Sequence, residues 1–409
     1  MLNACRALDL TNENGFLCGK ILADLGVDVI KVEKPGGDDA RHFGPFWEDI
    51  PEPEKSLYWF AYNSNKRGIT LNISCRDGNQ IFRELIKKSD FIIESFQPGY
   101  LKGIGLDYEV LESIKKGIIL TSITAFGKSG PYRDYKATEL ITMSMSGLLN
   151  QTGDPDRPPL QMSIPQACLL ASADAAVGTM IAYYHRERTG IGQQVDISMQ
   201  QSTAWFLANL IPALELNGSV IKRSGIYRLG NTNTVQRQIW DCKDGYVFYF
   251  MLGGKVGAKT FQELVKWMDE EGMSTEFLLK MDWNNLDMGN AGQEIVDQIS
   301  KPIERFFLIH TKEEIAREAN IRHMSICPLS NMRDLLSDKQ LEARNFWTQI
   351  NHPELNTHLA YPREFVKSSL VSYSTRNRAP LIGEHNEEIF SEIGITKHDL
   401  TILKEAGVI

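Results

Sequence analysis

The sequence predicts a two-domain α/β protein whose larger domain is a parallel sheet covered by helices. Three observations carry that expectation. A helix-like segment followed by a short apolar strand recurs three times within the first 135 residues. The strand ends carry turn residues, in KPGGDD, QPGY and FGKSGP. The composition shifts between about 226 and 330 and then returns. Alternation of this kind sheathes a parallel sheet in helices and hides its strands from water.

Residues 15–25, GFLCGKILADL, have helical periodicity, and Gly26 separates them from the β-branched run VDVIKVE. IFRELIKKSD (81–90) reads as a helix and FIIES as the strand after it. YEVLESIKKG (108–117) and IILTSITAFG repeat the pattern. In open parallel sheets the carboxyl ends of the strands form the ligand crevice, so the three turns mark where a site is expected. Residues 165–187 form a long helix rich in alanine, followed by TGIGQQ and the strand-like QVDISM. TGIGQ lacks the full GxGxxG spacing of a dinucleotide loop. Around 210–235 the periodicity fades. The expected organisation is a large domain from 1–225, a small domain over 226–330, and a return to the large domain over 331–409. TKEEIAREANIRH (311–323) reads as a capped helix, with Thr311 at the cap and Glu314 three residues on. Two proline-containing strands and a C-terminal helix follow.

The 409 residues are 42% apolar and 23% charged, with a formal charge of -8. An acidic surface without a dense Lys/Arg tract excludes nucleic acid as a partner. No stretch of 18 uncharged apolar residues suggests a membrane span, and no secretory signal begins the chain. The six cysteines, Cys5, Cys18, Cys75, Cys168, Cys242 and Cys327, are scattered without a CxxC pair. That pattern argues against a disulfide framework and a thiolate zinc site, and the eight histidines have no compact spacing with acids. A reducing cytoplasm is the expected home.

An ordered series of segments resembles the class III CoA-transferases, the group with formyl-CoA transferase, carnitine CoA-transferases and α-methylacyl-CoA racemase. The series begins with LADLGVDVIKVEKPGGDDAR (22–41), NSNKRGITLNI (63–73) and DFIIESFQPGYLKGIGLDYEVL (90–111). It continues with SITAFGKSGPY (122–132), SGLLNQTG (146–153), RERTGIGQQVDISM (186–199) and DGYVFYFMLGG (244–254). LEARNFW (341–347) and RAPLIGEHNEEI (378–389) complete it. The resemblance implies the CaiB/BaiF-like class III fold: a Rossmann-like large domain built from both chain ends, a small middle domain, and two interlocked subunits. It implies a CoA thioester as substrate and no permanently bound cofactor.

The resemblance also implies an aspartate that attacks the donor thioester. An acyl-aspartyl anhydride forms, then an enzyme–CoA thioester, and CoA passes to the acceptor acid. That aspartate lies 22 residues before the glycine of an RxxTG motif, which here is Gly190. Counting back gives Cys168. Three readings stay open: an unreactive Cys168 in a subunit without a catalytic role, Asp174 as nucleophile after a local shift, or Cys168 itself as a thiolate. Glu139, in KATELITMSMSG, is a further candidate, either orienting a group near residue 168 or capping a helix. No histidine accompanies it, so racemase chemistry is not expected.

On the same resemblance Lys34, Arg41, Lys66 and Arg67 stand where basic residues approach the nucleotide, Phe96 where a ring packs near adenine, and Lys102 beside a lost arginine. ESFQPG (94–99) replaces a common ENFRPG, which weakens nucleotide binding. Gly253 and Gly254 match part of a glycine-rich active-site loop, and His385 follows the family pattern. The implied function is that of an auxiliary subunit in a heteromeric transferase. A homologous partner would carry the aspartate, and CoA would move from a donor such as succinyl-CoA to an acid such as (R)-benzylsuccinate. A homodimer using Asp174 or Cys168, and a non-catalytic CoA-binding scaffold, are the alternatives.

Overall fold

The computed structural model describes residues 2–218, 220–229, 234–370 and 375–409. The chain divides into two compact units. One comprises Met1–Leu149, Met162–Ser219 and Lys339–Ile409; the other comprises Asn150–Gln161 and Val220–Asp338. The stretches 150–161, 220–225 and 331–338, assigned to the large domain from sequence, fall with the second unit.

Six parallel strands form the centre of the first unit: β1 (Arg6–Leu10), β2 (Asp28–Glu33), β3 (Arg67–Thr70), β4 (Phe91–Glu94), β5 (Ile119–Thr124) and β6 (Gln194–Ser198). Their order is β3-β2-β1-β4-β5-β6. The order reverses between β1 and β4, the point where doubly wound sheets open a crevice. Successive residues in each strand feed opposite cores. Ala7, Val29, Phe91 and Ile119 pack on one side with Cys18, Leu22 and Ala171. Leu8, Ile30, Ile92 and Leu120 pack on the other with Phe82, Leu85 and Ile86. β1 (RALDL) and β3 (RGIT) lack the longer runs of β-branched residues that mark β2 and β5, which leaves them without a local strand signal.

The helices that matter for the site are α1 (Phe16–Asp24), α2 (Leu57–Asn63), α3 (Arg76–Lys87), α4 (Tyr108–Ile114), α5 (Glu139–Met145) and α6 (Gln166–Thr189). α3 starts earlier than its apolar periodicity suggests, because the Cys75 side chain caps it. α4 is capped by Asp107. α1 lies close over β1 because Gly19 has no side chain: a Cβ there would meet Asp9 Oδ2 at 2.1 Å. The alanine face of α6, including Ala171 and Ala175, is buried. Thr179 and Thr121 join it to β5 through hydroxyls 2.7 Å apart. By length and composition alone α6 is apolar enough to cross a membrane, and 44% of its apolar window is buried within the fold.

Gly190 ends α6 in the left-handed conformation. A Cβ on Gly192 would meet Ile118 O at 2.2 Å, so TGIGQ is a crossing point of two chain segments and not a phosphate loop. The C-terminal return holds a hairpin, 347–352 with 357–362. His385 Nδ1 accepts the Gly68 N–H at 3.1 Å, and Asn386 Oδ1 accepts that of Thr70 at 2.9 Å. His385 therefore straps the chain end to β3.

The second unit has a three-stranded antiparallel sheet, 326–328, 245–249 and 239–242, against helices 254–270, 293–309 and 312–322. Trp240, Tyr249, Phe261, Phe306 and Phe307 form its core. The Thr311–Glu314 capping box is present. Gly253 and Gly254 stand at the start of helix 254–270 rather than in a hairpin.

Candidate functional site

The N-terminus of α6 and the loop after β1 converge on Cys168. Pro165, the residue preceding α6, offers no side-chain acceptor to the first free N–H groups. A carboxylate from α5 supplies it. Glu139 Oε1 accepts the Ala167 N–H at 2.7 Å, and Oε2 accepts that of Cys168 at 3.0 Å. Negative charge at this end of a helix is stabilised by both the N–H groups and the dipole. The Cys168 thiol sits 3.0 Å from Glu139 Oε2 and 3.2 Å from Asn14 Oδ1, with one proton for two acceptors. Ser172 Oγ donates to Asn14 O at 3.2 Å, which pins the β1 loop to α6.

Cys168 is 3% exposed. Burial first, and then the Glu139 charge, push its thiol far above the ordinary value. A thiolate nucleophile needs the reverse surroundings, positive and partly open. Asp174 lies six residues further along α6, about 240° round and about 9 Å along the axis. It is exposed and does not belong to the cluster.

Two residues missed from sequence border Cys168. Tyr58 and Tyr62, one helical turn apart on α2, have ring centroids 4.9 Å apart. Burial raises the Tyr58 phenol, helped by Cys168, Tyr62, Glu13 and Glu139. Burial likewise raises the Glu13 carboxyl. The i, i+4 tyrosines and the TNENG loop were the available signals.

A cleft of about 320 Å³ opens at the carboxyl ends of β1–β4. Its floor is Leu10, Val32, Leu71 and Ile73, and Phe43, Phe96 and Tyr100 form its aromatic wall. The Phe96 and Tyr100 centroids are 4.4 Å apart. Lys34 reaches this cleft, but its ammonium lies 2.5 Å from Asp39. Glu13, Glu33, Asp38 and Asp39 also line it. Lys102 lines a separate hollow with Gln97 and Lys128.

The other basic candidates require correction. Arg41 is fully buried. It binds Glu33 through Nε and Nη2 at 2.6 and 2.8 Å, Glu54 through Nη1 at 2.8 Å, and stacks on Trp59 at 3.8 Å. Lys66 gives its three N–H bonds to Asp9 Oδ2, Phe16 O and Asn63 Oδ1 at 2.8, 2.9 and 2.8 Å. Burial alone would raise Asp9, but Lys66 and Lys31 outweigh it and hold its carboxyl below the usual range. Arg67 begins β3, at the end of the strand away from the cleft, and pairs with Asp28 and Glu388 at 2.5 and 2.6 Å. Arg41 and Lys66 are thus internal struts, and Arg67 is a half-buried one. Of the four carboxylates lining the cleft, Glu33 is held by Arg41, Asp39 by Lys34, and Asp38 lies 3.8 Å from the Lys31 ammonium. Among the described residues no cluster of three or more His, Cys, Asp or Glu is placed to hold a metal.

The sequence profile of CoA-transferase family III matches residues 2–386. Succinyl-CoA:(R)-benzylsuccinate CoA-transferase subunit BbsE of Thauera aromatica is 32% identical, over 99% of this chain and 97% of that one. Succinyl-CoA–D-citramalate CoA-transferase of Chloroflexus aurantiacus is 29% identical, over 97% and 94%. The crystal structure of a CaiB/BaiF family protein from Brucella suis superposes with a TM-score of 0.82 at 26% identity, covering 96% of this chain and 99% of that one.

Proposed function

The chain belongs to CoA-transferase family III, and from that premise we propose that it is the auxiliary, non-catalytic subunit of a heteromeric CoA-transferase. A homologous partner supplies the aspartate that attacks the donor thioester. The observation that carries this reading is the buried Cys168 thiol, held beside the Glu139 carboxylate where the family nucleophile is expected. Its surroundings favour a neutral, packed thiol over a nucleophile. The fully internal pairing of Arg41 and Lys66 supports the same reading, because it leaves this chain's own cleft short of positive charge for CoA phosphates.

An apolar strip on the outer side of α6 supports a partner. Val177, Ile181 and Tyr184 are 59%, 64% and 62% exposed. Such a strip calls for a covering surface, and we assign that cover to the homologous subunit in an interlocked pair. The similarity to a benzylsuccinate transferase subunit supports succinyl-CoA as donor and an aryl-substituted succinate as acceptor.

Native mass spectrometry of the tagged chain from its own cells tests the assembly. A complex with a second homologue bearing the aspartate is expected. A homodimer that transfers CoA by itself would overturn the proposal and return attention to Asp174. A homodimer that binds CoA without transfer would favour a scaffold.

A further inference from the structure

We propose that the edge strand β6 takes an added strand from the second subunit, an extended segment carrying a lysine or arginine opposite Asp196. The inference rests on the subunit reading only for the identity of that second chain.

β6 ends the sheet and pairs with β5 alone. The Leu120 N–H donates to Gln193 O at 3.1 Å, with Leu120 opposite Gln194 and Ser122 opposite Asp196. In a parallel ladder of that register Val195 and Ile197 turn their N–H and C=O groups toward β5, and Gln194 and Asp196 turn theirs outward. Among the described residues none bonds to these outward groups, and both residues are exposed. The opposite edge of the sheet is closed. His385 and Asn386 take the N–H groups of Gly68 and Thr70, and Gly68 O accepts the His385 N–H. An edge left open in this way is a template for a strand from another chain.

The side chains around β6 define what fits. Asp196 is the one charged residue of the strand. Its oxygens accept the Lys128 backbone N–H at 3.0 and 3.2 Å, while the Lys128 ammonium turns to Ser122 at 3.2 Å and Glu94 at 3.9 Å. A hollow of about 300 Å³ beside Asp196 is lined by Ser129, Ser198, Gln200 and Gln201, and among the described residues no lysine or arginine lines it. It leaves room for a cationic head that gives its N–H groups to the carboxylate, the hydroxyls and the amide oxygens. A second β6 paired about Asp196 would instead set two carboxylates opposite each other, which is destabilising. α6 lies close over Val195 and Ile197: a Cβ on Gly178 would meet Val195 Cγ1 at 2.8 Å and Ile197 Cδ1 at 3.8 Å. Ile181, about 60° further round α6 from Gly178, belongs to the exposed apolar strip. Open edge and strip thus form one continuous surface, which a single subunit laid along it covers.

Hydrogen–deuterium exchange of the purified complex, read amide by amide, tests the inference. Val195 and Ile197 are bonded to β5 and should exchange slowly with or without an added strand. Gln194 and Asp196 should be slow as well, about a hundredfold or more below an unstructured amide. Unstructured rates at Gln194 and Asp196 beside protected Val195 and Ile197 would overturn the proposal. Gln194→Pro removes an outward N–H at the first residue of an edge strand, where proline is tolerated. Continued protection of Val195 and Ile197 shows that β6 still forms in this variant. Its complex should dissociate at about tenfold higher concentration or more, a weakening of about 1.4 kcal/mol, read by native mass spectrometry across a dilution series. Assembly as tight as wild type would also overturn the proposal. A homodimer with protected edge amides would support the added strand and overturn the subunit reading; a heteromer with unprotected edge amides would do the reverse.

Discussion

Glu139 accepts both the backbone N–H and the thiol of Cys168 through one oxygen, each at 3.0 Å. The carboxylate therefore completes the end of α6 and at the same time suppresses the thiolate beside it.

Removing that carboxylate separates the two roles. Glu139→Ala should destabilise the chain by about 1–2 kcal/mol, the scale of a lost helix cap, read from urea unfolding. It should also speed reaction of Cys168 with a disulfide reagent, because the charge that raises the thiol is gone. Unchanged stability together with unchanged reactivity would contradict this arrangement.

Asp174→Asn should leave CoA transfer by the assembled enzyme unchanged and stability within about 0.5 kcal/mol, as for an exposed helix charge. A rate loss of about a hundredfold would identify Asp174 as a chemical group.

Lys66→Met should be severe. It leaves the Asp9 carboxyl wholly enclosed without the equally enclosed Lys66 ammonium that pairs with it. Breaking one side of a buried pair costs about 3–5 kcal/mol. If the variant has a wild-type unfolding midpoint, the lysine is not a strut, and a ligand role for it would have to be reopened.

Acid should weaken the C-terminal hairpin. His352 is buried and faces Glu354, Tyr361, Phe60 and, through Glu354, Arg378. Burial lowers its value below 6.5, opposed by Glu354. The folded state thus binds the proton less readily than the unfolded chain. The stability from neutral His352 is complete above about 6.5 and is lost as pH falls from there toward the depressed folded value. The urea midpoint should drop between pH 7.5 and 5.5, and His352→Gln should drop less. Equal slopes in the two proteins would remove His352 as the cause.

Much of the large unit was legible in the chain because its helices and β2, β4 and β5 carry strong local signals. The capped helix at Thr311 was legible for the same reason. β1 and β3 were not, since RALDL and RGIT carry leucine, alanine and glycine where β2 and β5 carry runs of β-branched residues. The substitution at Cys168 was visible by counting, but its meaning was not. That meaning depends on Glu139, 29 residues away in sequence, and on Asn14, 154 residues away. Arg41 and Lys66 misled for a related reason. A basic residue near a turn reads as a phosphate ligand until Glu33 and Asp9, on neighbouring strands, are found to occupy it.

The central claim is that residue 168 of this subunit does no chemistry. The most direct test is the transfer rate of the assembled complex carrying Cys168→Ala, at saturating donor and acceptor. A rate within about twofold of wild type is expected. A loss of about a hundredfold or more with the complex intact would contradict it, because that is the scale of removing a reacting group.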